Sequence, residues 1–453
     1  MIFRRDLRIH DNSALLAALE KSEQVLPCFI FDPRQISTQN KYRSLPALQF
    51  MIESLLDLQD QLIHAHGHLF VYTGEPVTVL ADIIKNYNVN AVFVNTDYTP
   101  FSRGRDDQIK ALCRNLGVIF ESYHDLLLVD PETHLTKTGT PYRIFTPFFN
   151  SARAHAVPQP DQRMLYNFFR DKSVRDTVLP TQAEKLLSQN LDVRAGRKNA
   201  LRLLNSLKKF KNYEKTRDYP EFKTTELSAH NKFGTVSIRE VYWAIREQLG
   251  SNHELIRALY WRDFFTYIGY HYPHVFGHAY RSQFEHLPWN NNKELFEKWC
   301  SGETGFPIVD AAMRQLNQTG FMHNRARMIA ASFLVKDLQI NWLWGERYFA
   351  QKLVDYDPAV NNGNWQWVAS TGTDATPYFR IFNPWIQQKK YDPHCEYIKK
   401  WVPELRTFTH AQIHKWYKQA SDSSTYPAPI VDHQVQSAKT IRWYKHALHN
   451  KFT

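Results

Sequence analysis

Three features of this chain predict its fold class, an α/β amino-terminal domain joined by a long connector to an all-α domain. Short β-rich runs alternate with helical patterns over residues 1–125, prolines without a steady apolar period mark residues 126–195, and helical patterns dominate residues 196–453. With 453 residues, 43% of them hydrophobic and 22% charged, the chain is long enough for two or three well-buried domains and unlike a disordered polymer.

In the first domain, strands are expected at Val25 to Phe31, His68 to Tyr72, Ala91 to Asn95 and Gly117 to Glu121, with helices at Leu48 to His64 and Asp106 to Leu116. Such alternation predicts a mainly parallel sheet. Little chain precedes Phe3-Arg4-Arg5 to complete a first strand. The connector carries Pro131, Pro141, Pro147, Pro158, Pro160 and Pro180 and is expected to cross the surface, partly as helix. Beyond it, helices are expected at Arg197 to Phe210, Ser237 to Leu249, Glu254 to Tyr270, Asn292 to Cys300, Pro307 to Asn317 and Asn324 to Leu338. A further helix, Gly345 to Val354, should stop by Pro358 and leave Asp355, Asp357, Asn361 and Asn362 in the turn after it.

Composition narrows the function. No apolar run is long enough to span a membrane and no basic-then-apolar leader opens the chain, so an intracellular place, cytoplasmic or nucleoid-associated, is expected, without a membrane partner. Cys28, Cys113, Cys300 and Cys395 form no CxxC pair, and His64, His66 and His68 flank a turn-forming Gly67 without an added carboxylate or thiol, so no metal site is expected. Dinucleotide GxGxxG, P-loop and GxSxG motifs are absent. A net charge of +11 favours a polyanionic partner, and 14% aromatic residues suit stacking on bases or a flat cofactor.

Helical spacing puts Asn324, Arg327 and Met328 of Met322-His323-Asn324-Arg325-Ala326-Arg327-Met328 on one face. On this heptapeptide alone, a capped helix start with solvated arginines is the preferred reading over a binding wall. Two carboxylates and two amides after Val354 suit either a polar heterocycle or helix caps. Trp365 and Trp367 point in widely different directions, so one can face a ligand and the other the core. Thr224-Thr225-Glu226-Leu227-Ser228 places hydroxyls and amides where a helix begins, a seat for phosphate or an ordinary cap.

Phe3-Arg4-Arg5-Asp6-Leu7-Arg8 with Asp11-Asn12, Trp261-Arg262-Asp263-Phe264, Gly305 to Arg314, Met322 to Arg327, Asp355 to Trp367, and Ser370 to Asp374 followed by Tyr378 to Pro384 resemble the photolyase/cryptochrome family, in particular its class I cyclobutane pyrimidine dimer photolyases. The resemblance spans nearly the whole chain. It implies a Rossmann-like parallel sheet in an antenna domain, a helical domain holding FAD, active as FADH⁻, and light-driven repair of ultraviolet-damaged DNA by a monomer. It implies FAD contacts from Tyr213, Thr224, Thr225, Leu227, Ser228, Arg262, Asn324, Arg327, Asp355, Asp357 and Asn361, with Asn361 facing the flavin and Asp355 paired with Arg327. It further implies catalytic roles for Trp261, Asn324, Met328, Asn361 and Trp367, and DNA contact through Trp261, Arg325, Met328, Trp367 and Arg380. Trp289, Trp342 and Trp365 match the family's electron-transfer chain.

Departures qualify the likeness. Ala258 stands where the family commonly has a glutamate that bonds the dimer, with Glu254 one turn earlier, and Ala229 and Asn231 alter the FAD segment. Asp97-Tyr98-Thr99-Pro100-Phe101-Ser102 lacks the Asn-Glu pair of folate-binding relatives, which argues against folate and leaves the identity of a second, antenna chromophore open. A cryptochrome-like blue-light photoreceptor that keeps FAD without repair is the alternative, and Ala258 is the feature that favours it.

Overall fold

The structure, a computed structural model, describes residues 1–170, 191–419 and 425–449. Within the expected connector, residues 171–190, with Pro180, lie outside the described residues. Five short strands, β1 (Ile2–Phe3), β2 (Cys28–Phe31), β3 (Phe70–Thr73), β4 (Ala91–Asn95) and β5 (Ile119–Tyr123), form one parallel sheet in the order β3-β2-β1-β4-β5. Helices Ser13–Lys21, Leu45–His64, Pro76–Tyr87 and Pro100–Asn115 connect and cover it. The inner strands read as apolar runs because helices lie on both faces.

Contrary to the expectation of an incomplete first strand, β1 sits at the centre of the sheet. Ile2 pairs with Cys28 on one side and Val94 on the other, so its backbone is satisfied by both neighbours. The strand order reverses between β1 and β4, which opens a crevice at their carboxyl ends. The histidine run is a turn, with His66 in the left-handed region at φ 61°.

The other described elements are all helices, apart from one isolated bridge between Val25 and Phe168, and most of the described connector outside helix Phe145–Ala152 is irregular. Two sequence expectations need correction. Pro358 begins a helix rather than merely ending one: Asp357 caps helix Pro358–Ala369, and proline is well suited to its first turn, where no amide hydrogen is required. Asn361 and Asn362 therefore lie inside that helix, not in a turn. The helix expected over Asn324 to Leu338 instead ends at Ser332 and widens into a π turn, Phe333–Asp337. That turn carries the buried Lys336 to Ser370, where Nζ donates to Oγ at 2.9 Å, and lays it 3.9 Å from the Tyr444 ring centre.

Helices Glu254–His271 and Pro358–Ala369 approach closely because glycines remove side chains between them. A methyl group on Gly363 would overlap the Phe265 ring, and one on Gly269 would touch Ala359. The matched pairs 269 with 359 and 265 with 363 run in opposite directions, so the helices are antiparallel, and one more turn sets Trp261 opposite Trp367. Gly345 likewise lies under the Trp365 ring. Gly363→Ala is expected to lower stability by about 1–3 kcal/mol through overpacking, read from the denaturant midpoint. An unchanged midpoint would show that this approach does not constrain the fold.

Candidate active site

The start of helix Pro358–Ala369 is built on Asp357. Its Oδ1 accepts from the amides of Ala359 and Val360 at 3.0 and 3.1 Å, and its Oδ2 is paired with Arg5. Arg5 also reaches Asp97 at 3.2 Å and donates Nε to the Lys232 carbonyl at 3.2 Å. One guanidinium thus joins the end of β4 to the helical domain. Burial favours the neutral acid at Asp97 and Asp357, but Arg5 and neighbouring cations outweigh it, so both stay ionised well into acid. The Lys232 amine is pushed down to about 7, first by burial and then by Arg5. The crevice beside this network, lined by Arg4, Arg5, Asn95, Thr96, Asp97 and Leu126, holds a cavity of about 20 Å³.

A second group forms around helix Asn324–Ser332. His323 caps it, its Nδ1 accepting from the Arg325 amide at 3.1 Å, and burial lowers its pKa to about 4, keeping the ring neutral. The arginines expected to be solvated are paired: Arg325 with Asp218 at 2.7 Å and over the Tyr391 ring at 4.4 Å, Arg327 with Asp355 at 2.9 Å. Arg327 Nε also donates to the Met322 carbonyl at 2.8 Å. Asn324 is exposed, and its amide lies 3.7 Å from the Met328 sulfur. Asp355 Oδ1 and Asn231 Oδ1 are buried without a hydrogen-bond partner, polar atoms that a heterocyclic ligand with N–H groups or hydroxyls fits.

The remaining expected contacts are spread more widely. Arg262 donates to the Leu126 carbonyl at 2.8 Å and the Asn231 carbonyl at 3.3 Å, and pairs with Asp263 at 3.1 Å. Thr224 and Thr225 are half-buried, Leu227 is buried, and Ser228 is exposed at the start of helix Ser228–Phe233. Tyr213 is half-buried with its ring 6.2 Å from that of His253, and Arg380 is exposed. Ala258 is exposed, while Glu254 is held by Arg217 at 2.6 Å and is not free to take its place.

The tryptophans divide as their spacing requires. Trp365 is 2% exposed, edge-on to Phe349 and Trp299 at 4.9 and 6.2 Å between ring centres, and shares one core cluster with the buried Trp342 and the half-buried Trp289. Trp367 and Trp261 are half-buried. Behind Trp261 lies Phe145, stacked at 3.6 Å with the planes 7° apart. Sequence reasoning missed Phe145, Arg5, Asp218, Trp299 and Glu346, each of which acts through a partner far away in the chain.

Glu346 holds the helix from below. Its Oε1 accepts from Asn362 at 3.0 Å, and Asn361 donates to its backbone carbonyl at 3.0 Å. Gln366 continues the ladder, donating to Asn362 Oδ1 at 3.1 Å and to the Val275 carbonyl at 3.0 Å. Burial, only partly offset by the Asn362 bond, raises the Glu346 carboxyl to about 7. The folded state thus keeps a proton that the unfolded chain releases near 4.5. Its stabilising contribution is complete below that value and is lost as pH rises through about 7, about 3 kcal/mol in all. Glu346→Gln is expected to remove this part of the pH dependence, so that the stability difference between variant and parent changes between pH 5 and 8 in urea unfolding; a constant difference would overturn the assignment.

Among the described residues no helix is long and apolar enough to cross a membrane, and no three His, Cys, Asp or Glu side chains gather to hold a metal ion. Comparison with known proteins gives a consistent result. Residues 1–164 match the DNA photolyase family model, and residues 255–446 match the FAD binding domain of DNA photolyase. A deoxyribodipyrimidine photo-lyase of Vibrio cholerae is 36% identical, with 98% of both chains covered, and one of Escherichia coli is 35% identical over 99% of this chain and 98% of its own. Among solved structures, an archaeal photolyase from Sulfolobus tokodaii with two FAD molecules superposes with a TM-score of 0.90 at 43% identity, covering 98% of this chain and 99% of that one. A cryptochrome of Synechocystis sp. gives 0.88 at 27%, covering 97% and 98%. With its five-stranded parallel sheet and its FAD-binding helical region, the chain belongs to the DNA photolyase family and is an enzyme of that family.

Proposed function

We propose that this protein repairs cyclobutane pyrimidine dimers in DNA by light-driven electron transfer, with the dimer extruded into the opening between Trp261 and Trp367. The observation that supports this reading is the antiparallel helix register, which brings positions 261 and 367, both half-buried tryptophans, opposite each other along the two helices. Enzymes that act on bases, photolyases among them, take the target out of the stack, and the cost of a few kcal/mol is lowest for a damaged site. Stacking on two tryptophans contributes about 1–3 kcal/mol per base and offsets it.

Bound reduced FAD supplies the light-excited electron. Around it, Arg327 with Asp355, Asp357, Asn324 and Asn361 would hold the ring edges, while Tyr213, Thr224, Thr225, Leu227, Ser228 and Arg262 would hold the remainder. Asp355 Oδ1 and Asn231 Oδ1, buried and unpaired, support this placement. Asn324 and Met328 would line the dimer's floor. Trp289, Trp342 and Trp365, within one core, would carry electrons inward from the surface. Arg380, exposed, is ready to meet phosphate, whereas Arg325 must first exchange its bond to Asp218. Residues 1–125 would serve as the antenna domain, 126–195 as connector and 196–453 as the FAD domain. The two FAD molecules of the Sulfolobus relative favour a second flavin as the antenna chromophore.

One observation favours a photoreceptor instead: with Ala258 exposed and Glu254 tied to Arg217, neither offers the mouth a free carboxylate for the dimer. The two readings separate when reduced, FAD-loaded protein is mixed with an oligonucleotide carrying one thymine dimer. Loss of the dimer only under blue light is the expected result; none, despite binding, would leave the photoreceptor reading. Ala258→Glu is expected to strengthen dimer binding or repair by about tenfold or more, the worth of one charge-assisted hydrogen bond. Trp365→Phe should slow light-driven reduction of oxidised FAD while leaving repair by chemically reduced protein intact, so equal losses in both would remove Trp365 from the electron path.

A further inference from the structure

Phe149 carries two guanidinium groups. Arg153 lies 5.2 Å from its ring centre and Arg257 5.0 Å, and Arg257 is also 5.0 Å from the ring centre of Phe145. Of the other arginines in this region, Arg217 is neutralised by Glu254, Arg262 by Asp263, Arg325 by Asp218 and Arg327 by Asp355, while Arg143 donates to the Tyr272 hydroxyl. Among the described residues neither Arg153 nor Arg257 has a carboxylate within salt-bridge distance. Arg153 donates only to Asn252 Oδ1, at 2.8 Å, and the nearest acid along the helix from Arg257, Glu254, is taken by Arg217. Two like charges drawn to one ring repel each other, and an anion bridging them relieves that repulsion.

Their position identifies the anion. Arg257 precedes Trp261 by four residues on helix Glu254–His271, so both share a face, about 6 Å apart along the axis. Phe145, which Arg257 covers, is the ring stacked on Trp261. Half-buried Arg257, buried Phe145 and half-buried Trp261 therefore form one contiguous stack, with the exposed Arg153 at its outer end. A guanidinium lying on an aromatic face is held in plane and keeps its N–H edge outward, the geometry that grips a phosphate through two bonds.

We propose that Arg257 and Arg153, braced on Phe145 and Phe149, form a phosphate-binding patch that holds the damaged strand beside the Trp261 mouth. This patch lies on elements other than those of Arg325 and Arg380. It rests on the reading that the mouth accepts a base from DNA, and its test does not depend on repair. FAD-loaded protein is titrated in darkness with a fluorescent duplex containing one thymine dimer, at several salt concentrations. For Arg257→Gln and for Arg153→Gln the slope of log affinity against log salt should each fall by about 0.7–0.9, the share of a single neutralised phosphate. Arg257→Lys, which keeps the charge, should retain the parental slope. Equal slopes for both glutamine variants and the parent, with FAD content and circular dichroism unchanged, overturn the patch. So does an equal loss in Arg257→Lys and Arg257→Gln, which would mark a packing role. Failure of the parent to repair the dimer in light while these slopes still change would count against the repair reading alone.

Discussion

The contact between Gly363 and Phe265 governs the geometry of the site. Two helices, Glu254–His271 and Pro358–Ala369, can lie this close only where one contributes no side chain. Because they run antiparallel, the distance set at 265 and 363 also sets the separation of the tryptophans one turn on, at 261 and 367. A wider crossing would splay those rings, and a base between them would lose one of its two faces. Phe145 reinforces the arrangement: stacked at 3.6 Å, it holds the plane of Trp261, with Phe265 5.5 Å away and tilted by 30°.

Rotation of the second helix is fixed by polar contacts. Asn362 and Gln366, four residues apart, share a face and bond to each other, to Glu346 and to the Val275 carbonyl. A one-residue slip would break all of them together and leave buried amides unpaired, each costing about 1–3 kcal/mol. A neutral Glu346 suits this position, since burial of the carboxylate outweighs the Asn362 bond and the attraction of Arg347. At the helix start the opposite solution is used: Asp357 remains charged because Arg5 reaches it from the first domain. The interdomain contact and the start of the site's main helix therefore stand or fall as one unit.

Much of this is legible in the sequence where the signal is local. The strand Ala91 to Asn95 matches to the residue, the amphipathic helices agree within one to three residues at most ends, and the pairing of Asp355 with Arg327 comes with the motif. Strand β1 is not legible, because two residues form a strand only when neighbours lie on both sides, and those neighbours are β2 and β4. Pro358 reads as a stop because proline ends the preceding helix and begins the next equally well; the Asp357 before it is the available cue. Phe145 and Arg257 lie more than a hundred residues apart, and no spacing rule connects a connector residue with a helix it meets only after folding.

The helix Pro358–Ala369 also shows how one scaffold can serve two activities. Residues two apart on a helix differ by about 200° in direction, so Trp365 is turned into the core while Trp367 looks toward the mouth. In the proposed function the inward face handles electrons and the outward face handles DNA. The inward face is packed against Phe349, Trp299 and Gly345, where volume changes are costly, whereas Trp367 on the other face is only half-buried and Ala258, on the neighbouring helix, is exposed. Light-driven flavin chemistry can thus be retained while affinity for damaged DNA is gained or lost at the mouth. Such a division is compatible with the likeness of this chain to both a photolyase and a cryptochrome, at TM-scores of 0.90 and 0.88. In the proposed function, Ala258 and Arg257 are accordingly the residues through which DNA affinity is tuned around the tryptophans that announce the family.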